Sequence, residues 1–318
     1  MGLKYLFKPS TMAVVGVSTS QDNHPANVIY NKNHLRYPVK TFPVNLKGGI
    51  LNREILYPSV GHIQEDIDMA VIAVRAEYVP KVVEQCIQKG VKGAVIISGG
   101  FAEAGNLKLQ QRLVDMAKEA SFPFVGPNCL GIYAPDHVDT FFLPGERIIR
   151  PDKGNVGFVS QSGGVLVDQM VKFAGQGIGV SLAVSIGNKA YIKETDMLDW
   201  FDQDPETKVI AFYIEGFEKG EGRKFIKRTE QCSKPVVVFK AGKSKKGIEA
   251  VSSHTASLAG NYRVFSEIMK QYCVAEADSE YELTSFCEAL SCYPKGIKGN
   301  VGIISLSGGH GVIAADAC

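Results

Sequence analysis

The sequence predicts an α/β protein built from successive domains, each with a parallel sheet covered by helices. Short runs that are apolar throughout and rich in Val and Ile indicate strands buried on both faces. Such runs occur at 12–17, 69–74 and 93–98. Amphipathic patterns with helical periodicity lie between or after them, near 77–89 and 107–120. The same alternation restarts further along, with apolar runs at 155–160, 179–185, 208–214 and 235–240.

An irregular stretch at 134–154, which contains three prolines, separates the two series of runs. A chain of 318 residues is too long for one ordinary core. We therefore expect a first α/β domain over 1–145 and a second over 146–296. A third start, NVGIISLSGGHG (300–311), repeats the order of strand, Ser, Gly-Gly and helix found in NVGFVSQSGG (155–164). It predicts the beginning of a truncated third domain over 297–318.

Composition excludes several classes of protein. The chain has 45% hydrophobic and 21% charged residues and a net charge of +2, and no Lys/Arg block resembles a nucleic-acid or membrane-surface patch. The seven cysteines show no CxxC spacing, which favours reduced thiols in a cytosol. No apolar run approaches the ~20 residues of a membrane helix, and a strand begins too early for a signal peptide. We expect a cytoplasmic protein that binds neither nucleic acid nor membrane.

The first strand runs into a turn of small residues, Gly16-Val17-Ser18-Thr19-Ser20, and a helix is expected at about 26–36. Such a turn can place backbone N–H groups against a phosphate. It lacks the GxGxxG pattern, however, and a tight turn needs Gly for steric reasons alone, so both interpretations stay open. The second strand is followed by Lys47 rather than by an acid. That favours a ribose with an extra phosphate, as in NADP or coenzyme A.

In the second series, Ser160-Gln161-Ser162-Gly163-Gly164 follows a buried strand and opens an amphipathic stretch at 165–175. Small residues at a helix start form an anion site, although an N-cap Ser on a structural helix explains the same pattern. The near-copy at 307–311 favours two helix ends that face one anion. The run AGKS (241–244) is not a P-loop, because Val237 occupies the position that requires Gly.

His254 lies in SSHTASLAG (252–260), a stretch of small residues that predicts an exposed loop. A neutral imidazole there can attack phosphorus, provided that a carboxylate orients its other nitrogen. Glu215, in YIEG (213–216), is the best candidate because the ends of parallel strands gather at one edge of a sheet. The spacing alone favours a non-catalytic histidine over a nucleophilic one. The other five histidines form no metal-like cluster, so no metal site is predicted.

Taken in order, several motifs resemble the α part of ADP-forming acyl-CoA synthetases, the acetyl-CoA synthetase family, which is related to the succinyl-CoA synthetase α subunit. The motifs are SGGFAEAG (98–105), GPNCLG (126–131), SQSGG (160–164), SIGNK (185–189), YIEG, SSHTASLAG and SGGHGVIAADA (307–317). The resemblance covers essentially the whole chain. It implies a Rossmann-like CoA-binding domain, then a flavodoxin-like domain with a phosphohistidine loop, then the start of another flavodoxin-like domain.

The resemblance also implies an activity: acyl-CoA, ADP and phosphate are converted reversibly to carboxylic acid, CoA and ATP through acyl phosphate and phosphohistidine at His254. ATP or ADP and Mg²⁺ are handled by an ATP-grasp part, either a β subunit or further C-terminal domains, in an oligomer. Glu215 contacts His254, and Ser160, Ser162, Gly163 and Gly164 surround the phosphoryl group. The implied CoA-binding and pocket residues are Gly16, Ser18, Thr19, Ser20, Gln21, Lys47, Ile97, Ser98, Gly99 and Asn128.

Two alternatives belong to other functional classes. A non-catalytic CoA-binding regulatory module has the same fold, but such modules tend to lose the histidine that is present here. An NADP-dependent oxidoreductase is disfavoured by the missing GxGxxG pattern. The chain departs from the family at 22–26, in the first turn, and at Ala256, where Gly is usual. The sequence does not indicate which small carboxylic acid or acyl-CoA is the substrate.

Overall fold

The computed structural model describes residues 2–254, 261–294 and 299–318, which form an α/β chain with two main sheets and a small hairpin. The strands are β1 (Thr11–Val15), β2 (Lys40–Val44), β3 (Gly49–Leu51), β4 (Glu54–Leu56), β5 (Met69–Ile72), β6 (Gly93–Ile96), β7 (Phe124–Val125), β8 (Gly131–Ala134), β9 (Val138–Asp139), β10 (Lys153–Ser160), β11 (Val180–Ser185), β12 (Val209–Ile214), β13 (Val236–Lys240) and β14 (Ala275–Ala277). The α-helices are α1 (Lys4–Phe7), α2 (Pro25–Arg36), α3 (Val79–Lys89), α4 (Leu107–Glu119), α5 (Gly163–Gly175), α6 (Glu194–Gln203), α7 (Glu221–Gln231), α8 (Lys245–His254), α9 (Tyr262–Gln271), α10 (Glu280–Cys292) and α11 (Gly308–Ala317).

The first sheet has the order β2-β1-β5-β6-β7, and all its strands are parallel. The direction of strand addition reverses at β1, because β2 lies on one side of it and β5 on the other. Ligands of such sheets bind beyond the carboxyl ends of the strands at this reversal. The apolar runs of the sequence form the strands because their side chains pack on both faces; β5 and β6 are buried throughout.

The second sheet has the order β14-β13-β12-β10-β11-β8-β9. Its first five strands in this order are parallel, and the reversal point is β10, which lies between β12 and β11. At the other edge β8 pairs antiparallel with β11, and Gly131 lies opposite Ser185. Residues 131–139 therefore belong to the second sheet, whereas the predicted first domain extended to 145. The predicted boundary rests on composition, and these strands are too short to give a periodic signal.

Two further predictions differ from the structure. The helix α8 continues to His254, so the backbone of that residue ends a helix rather than lying in an open loop. Residues 300–305 form no strand among the described residues, because a strand needs a neighbour to pair with and none lies beside them. The helix α11 that follows has no buried residue.

Candidate functional site

The loop after β1 begins with a glycine that packing requires. Gly16 has φ +106°, and a Cβ at this position would lie 2.3 Å from the carbonyl oxygen of Ala73. A side chain is therefore excluded by the neighbouring strand end whether or not a ligand binds. The amides of Gly16 and Val17 both donate to the Val44 carbonyl, which fixes the start of the loop beside the end of β2.

Residues 18–21 form a tight turn that is held by side chains. The Ser18 hydroxyl accepts from the amides of Ser20 and Gln21, at 3.2 and 3.1 Å. The Ser18 amide donates to the Asn27 side chain on α2 at 2.7 Å, and the Asn27 amide group donates back at 2.8 Å. Thr19, Ser20 and Gln21 are exposed at the carboxyl edge of the sheet. The arrangement leaves a polar surface on a rigid support.

Lys47 and the turn at 97–99 lie beyond the same edge of the sheet. The Lys47 side chain is exposed, and its amide donates to Asn45, whose side-chain amide donates to the Val17 carbonyl at 2.7 Å. Ser98 bridges two strand ends: its hydroxyl accepts from the Val74 amide and its carbonyl accepts from the Asn128 amide. Ile97 is buried beside it, and Gly99 is exposed. The described backbone therefore brings the predicted CoA-side residues to one edge.

The SQSGG turn follows β10, the strand at the reversal point of the second sheet. Ser162 is the N-cap of α5, and its hydroxyl accepts from the Val165 amide at 3.4 Å. The Ser160 side chain is fully buried and donates to the Ser162 carbonyl at 2.6 Å. Ser160 therefore stabilises the turn from its buried side. The amides of Gly163 and Gly164 open the helix, where backbone donors have no partner within the helix itself.

A cleft of about 520 Å³ lies between the carboxyl edges of the two sheets. Asn128 is exposed at this cleft with φ +56°, and its side-chain amide donates to Asn188 at 3.3 Å. The backbone of Gly187 packs directly against residues 127–128, which joins SIGNK to GPNCLG. The lining residues are Ile97, Asn128, Cys129, Leu130, Phe142, Leu143, Gln161, Ser162, Gly163, Gly164, Val167, Gly187 and Asn188. The cleft thus combines residues of both halves of the chain.

Beneath the cleft a buried polar network holds Glu215. The Gln161 side-chain oxygen accepts from the amides of Glu215 and Gly216, at 2.7 and 3.1 Å. Its nitrogen donates to the Gly216 carbonyl at 2.9 Å and to the carboxylate of Glu194. Glu194 also pairs with Lys189 at 2.7 Å, and Lys189 donates to the Gly216 carbonyl. SQSGG, SIGNK and YIEG are therefore locked together by side chains of their own.

The buried environment around Glu215 shifts the pKa values of two neighbouring side chains, Lys240 and Tyr213. Lys240 is 3% exposed and donates to the Glu215 carbonyl oxygen at 2.7 Å. Burial lowers the pKa of Lys240 to about 8, while the negative charge of Glu215 acts in the opposite direction. Burial and the same carboxylate raise the pKa of Tyr213. Glu215 itself is buried, with 6% of the residue exposed.

His254 closes α8, on the carboxyl side of β13, next along the second sheet from the strand that leads to Glu215. Its side chain and residues 255–260 lie outside the described parts of the chain. The contact between His254 and Glu215 remains a prediction. The order of the elements is compatible with it, since both residues follow strands that are paired in parallel.

Sequence reasoning missed the network and the apolar side of the cleft. Lys189 and Glu194 lie in or near SIGNK, but nothing in their local pattern distinguishes a buried ion pair from surface charges. Phe142 and Leu143 lie in the stretch interpreted as an interdomain linker. The short apolar group FFL at 141–143 was the available signal.

Within 2–254, 261–294 and 299–318, no group of three or more His, Cys, Asp or Glu side chains could hold a metal ion. Over the same ranges, every helix is too short or too polar to cross a bilayer.

Comparisons with known families agree with this architecture. A model described as a CoA binding domain matches residues 10–135, and one described as a succinyl-CoA ligase like flavodoxin domain matches 153–290. The acetyl-coenzyme A synthetase 1 of Ca. Korarchaeum cryptofilum, solved with phosphate and ADP, is similar with a TM-score of 0.84 and 37% identity. That match covers 91% of this chain and 62% of that one.

Sequence relatives are similar over nearly the whole chain. An ADP-forming acetate–CoA ligase I of Archaeoglobus fulgidus is 43% identical over 99% of this chain, which spans only 45% of the relative. The α subunit of the ADP-forming acetate–CoA ligase I of Pyrococcus furiosus is 39% identical over 100% of this chain and 69% of the subunit. The match to that subunit extends across both domains. The chain therefore belongs to the ADP-forming acetate–CoA ligase family and corresponds to its α part.

Proposed function

We propose that this chain is the CoA-binding and phosphohistidine part of an ADP-forming acyl-CoA synthetase. The overall reaction converts acyl-CoA, ADP and phosphate reversibly to carboxylic acid, CoA and ATP. The observation that carries the proposal is the shared cleft, in which the start of α5 faces Asn128 and the loops of the first sheet. The presence of His254 in SSHTASLAG favours catalysis over a purely regulatory CoA-binding module.

The first step takes place in the cleft. A phosphate oxygen attacks the thioester carbonyl, the C–S bond breaks, and CoA leaves as a thiolate that takes up a proton. The acyl phosphate then transfers its phosphoryl group to a ring nitrogen of His254: a P–N bond forms, the P–O bond to the acyl group breaks, and a carboxylate leaves. The first amides of α5, at Gly163 and Gly164, stabilise the phosphate charge throughout.

Glu215 orients the imidazole in this proposal. Its carboxylate accepts the N–H of the second ring nitrogen, so that the first nitrogen presents its lone pair to phosphorus. Gln161 fixes the backbone of Glu215 through the 2.7 Å hydrogen bond to its amide. Positioning of this kind matters because a displacement of about 1 Å lowers a rate by about 100-fold.

Coenzyme A binds in this proposal at the edge of the first sheet. The exposed turn at 18–21 and Lys47 offer hydroxyls, amides and a cation, which suit phosphate groups and a phosphorylated ribose. The turn at Ile97, Ser98 and Gly99 and the side chain of Asn128 then lie between that surface and the cleft. The thiol end of the pantetheine arm enters the cleft from this side.

ATP or ADP and Mg²⁺ are bound by an ATP-grasp partner, a β subunit or further domains, and the assembly is an oligomer. The greater length of the Archaeoglobus relative supports this part of the proposal.

Phosphate labelling tests the proposal. The protein, purified with its ATP-grasp partner, is incubated with radiolabelled phosphate and acetyl- or butyryl-CoA, without ADP. We expect an acid-labile, base-stable label and stoichiometric release of CoA. His254→Ala abolishes the label, Glu215→Gln lowers its rate of formation by about 100-fold, and His62→Ala, in the first domain, leaves it unchanged. A label that persists in His254→Ala contradicts the mechanism, and CoA binding without label or thiol release supports the regulatory alternative.

A further inference from the structure

The cleft between the two sheets has two chemically different walls. One wall is polar, with Asn128, Asn188 and the start of α5. The other part of the lining is apolar and consists of Leu130, Phe142, Leu143 and Val167, which we call the apolar wall. The two walls meet at the start of α5, where a Cβ placed on Gly163 would lie 3.3 Å from the Cβ of Leu130. A phosphate at the helix start is therefore adjacent to the apolar wall.

The segment that carries Phe142 and Leu143 is fixed in place by buried charges. Asp139 is fully buried and pairs with Lys32 of α2 at 2.8 Å and with Arg150. Lys32 also donates to the Phe141 carbonyl at 2.6 Å, and Arg150 donates to the Leu143 carbonyl at 3.2 Å. The backbone that carries Phe142 and Leu143 is thus held on both sides of Phe142, as a selective pocket requires.

The charges around the cleft restrict what it accepts. Among the described lining residues there is no Lys, Arg or His, and the polar groups are amides, hydroxyls and backbone donors near α5. A single carboxylate or thioester carbonyl can use the polar wall. A second carboxylate, at the far end of an acyl chain, would lie against the apolar wall and lose its hydration without a counter-charge.

We propose that the apolar wall is the acyl-binding surface and that Phe142 and Leu143 determine specificity. The substrate class is a monocarboxylic acyl group with an apolar chain longer than acetyl, and dicarboxylic acyl groups are rejected. This inference rests on the proposed function, because it places the thioester carbonyl at the start of α5. Beyond its thioester carbonyl, acetyl has one carbon to place against the apolar wall and butyryl has three, so butyryl can bury more apolar surface there.

The test measures the release of CoA by the protein with its ATP-grasp partner, with phosphate, from acetyl-, butyryl- and succinyl-CoA. We expect kcat/KM for butyryl-CoA to exceed that for succinyl-CoA by about 100-fold or more. Phe142→Ala and Leu143→Ala each lower the value for butyryl-CoA by about 10-fold and leave acetyl-CoA within about threefold. Val171→Ala, one helical turn beyond Val167 and outside the cleft, is the matched control and changes neither value.

The possible results distinguish a failure of this inference from a failure of the proposed function. Equal use of succinyl- and butyryl-CoA overturns the inference, and so does an equal loss for acetyl- and butyryl-CoA in the Phe142 and Leu143 variants. Both results leave the proposed function intact, because CoA is still released. If the folded wild-type protein releases CoA from none of the three esters, the proposed function fails, and the acyl pocket with it. Thermal unfolding of each variant separates a change of selectivity from a loss of fold.

Discussion

The buried pair of Lys189 and Glu194 gives the sharpest test of how the site is held together. Only 4% of the Lys189 side chain and 2% of the Glu194 side chain are exposed, and their charged atoms are 2.7 Å apart. Glu194 additionally accepts from Gln161, and Lys189 donates to the Gly216 carbonyl. The substitution Glu194→Gln keeps the shape of the side chain and removes only its charge. It leaves the Lys189 ammonium buried without its ion-pair partner.

The expected loss follows from that geometry. Removal of one partner of a buried ion pair costs about 3–5 kcal/mol of unfolding free energy, because the remaining charge stays desolvated. In a domain of about 150 residues each kcal/mol shifts Tm by about 2–4 °C. Glu194→Gln should therefore lower the Tm of the second domain by about 6–20 °C. The double variant Lys189→Met with Glu194→Leu removes both charges and should recover most of the loss.

Urea unfolding followed by circular dichroism, with thermal scans in parallel, measures both variants. Asp199→Asn is the matched control, since Asp199 lies on the same helix and its side chain is 48% exposed beside Arg228. We expect the control to lose at most about 1 kcal/mol. A loss below about 1 kcal/mol in Glu194→Gln would refute the reasoning. A double variant that is less stable than Glu194→Gln would refute it as well, because the penalty would then not arise from an isolated charge.

Three further predictions concern pH, thiols and backbone packing. Burial lowers the pKa of Lys240 to about 8 from 10.5. As the pH rises, the folded chain therefore loses the Lys240 proton at a lower pH than the unfolded chain does. The stability of the wild type relative to Lys240→Met should thus be lowest below pH 8 and rise up to about pH 10.5, as urea titrations at stepped pH will show. A disulfide reagent at pH 8 should label the exposed thiols quickly, and these are Cys273, Cys292 and Cys318. It should spare the buried thiols, because burial raises their pKa to about 12. The buried thiols are Cys86, Cys129 and Cys287. Gly187→Ala places a Cβ 2.3 Å from the Asn128 carbonyl oxygen and should reduce the rate of CoA release by at least about 10-fold. Gly177→Ala is its control, because Gly177 also has a positive φ but a Cβ there would meet no atom within 4 Å, and it should leave the rate unchanged.

The elements that sequence reasoning predicted well are those specified by local pattern. The runs at 69–74 and 93–98 became β5 and β6, because continuous apolar runs indicate strands buried on both faces. The stretch at 107–120 became α4, because a helical period of apolar residues determines which face of a helix is buried. The positions of the turns after β1 and β10 followed as well, since parallel strands present their carboxyl ends together. The family resemblance, rather than this rule, implies that Asn128 and SQSGG are neighbours, and both line the same cleft. Their roles there remain predictions.

What sequence reasoning missed depends on pairs of residues far apart in the chain. Gln161 and Glu194 are joined across 33 residues, and Lys32 and Asp139 bond although more than a hundred residues separate them. In a single sequence each of these four side chains looks like an ordinary polar residue, because tertiary packing decides whether it is buried. The helix α8 was missed for a related reason: Ser252 and Ser253 favour turns by propensity, which is a weak guide at a helix end.

The direction of one short strand explains why the two domains share a cleft. The chain leaves the first sheet at the carboxyl end of β7, passes through GPNCLG, and enters the second sheet as β8. Because β8 runs antiparallel to β11, its first residue, Gly131, lies opposite Ser185, at the carboxyl end of β11. A parallel strand would have entered at the amino edge and carried Asn128 to the far side of the sheet. The Ser185 hydroxyl accepts from the Leu130 amide at 3.1 Å, which fixes this junction. The loops at the carboxyl edge of the first sheet and the start of α5 therefore face each other because β8 is antiparallel, and its register sets the distance between them.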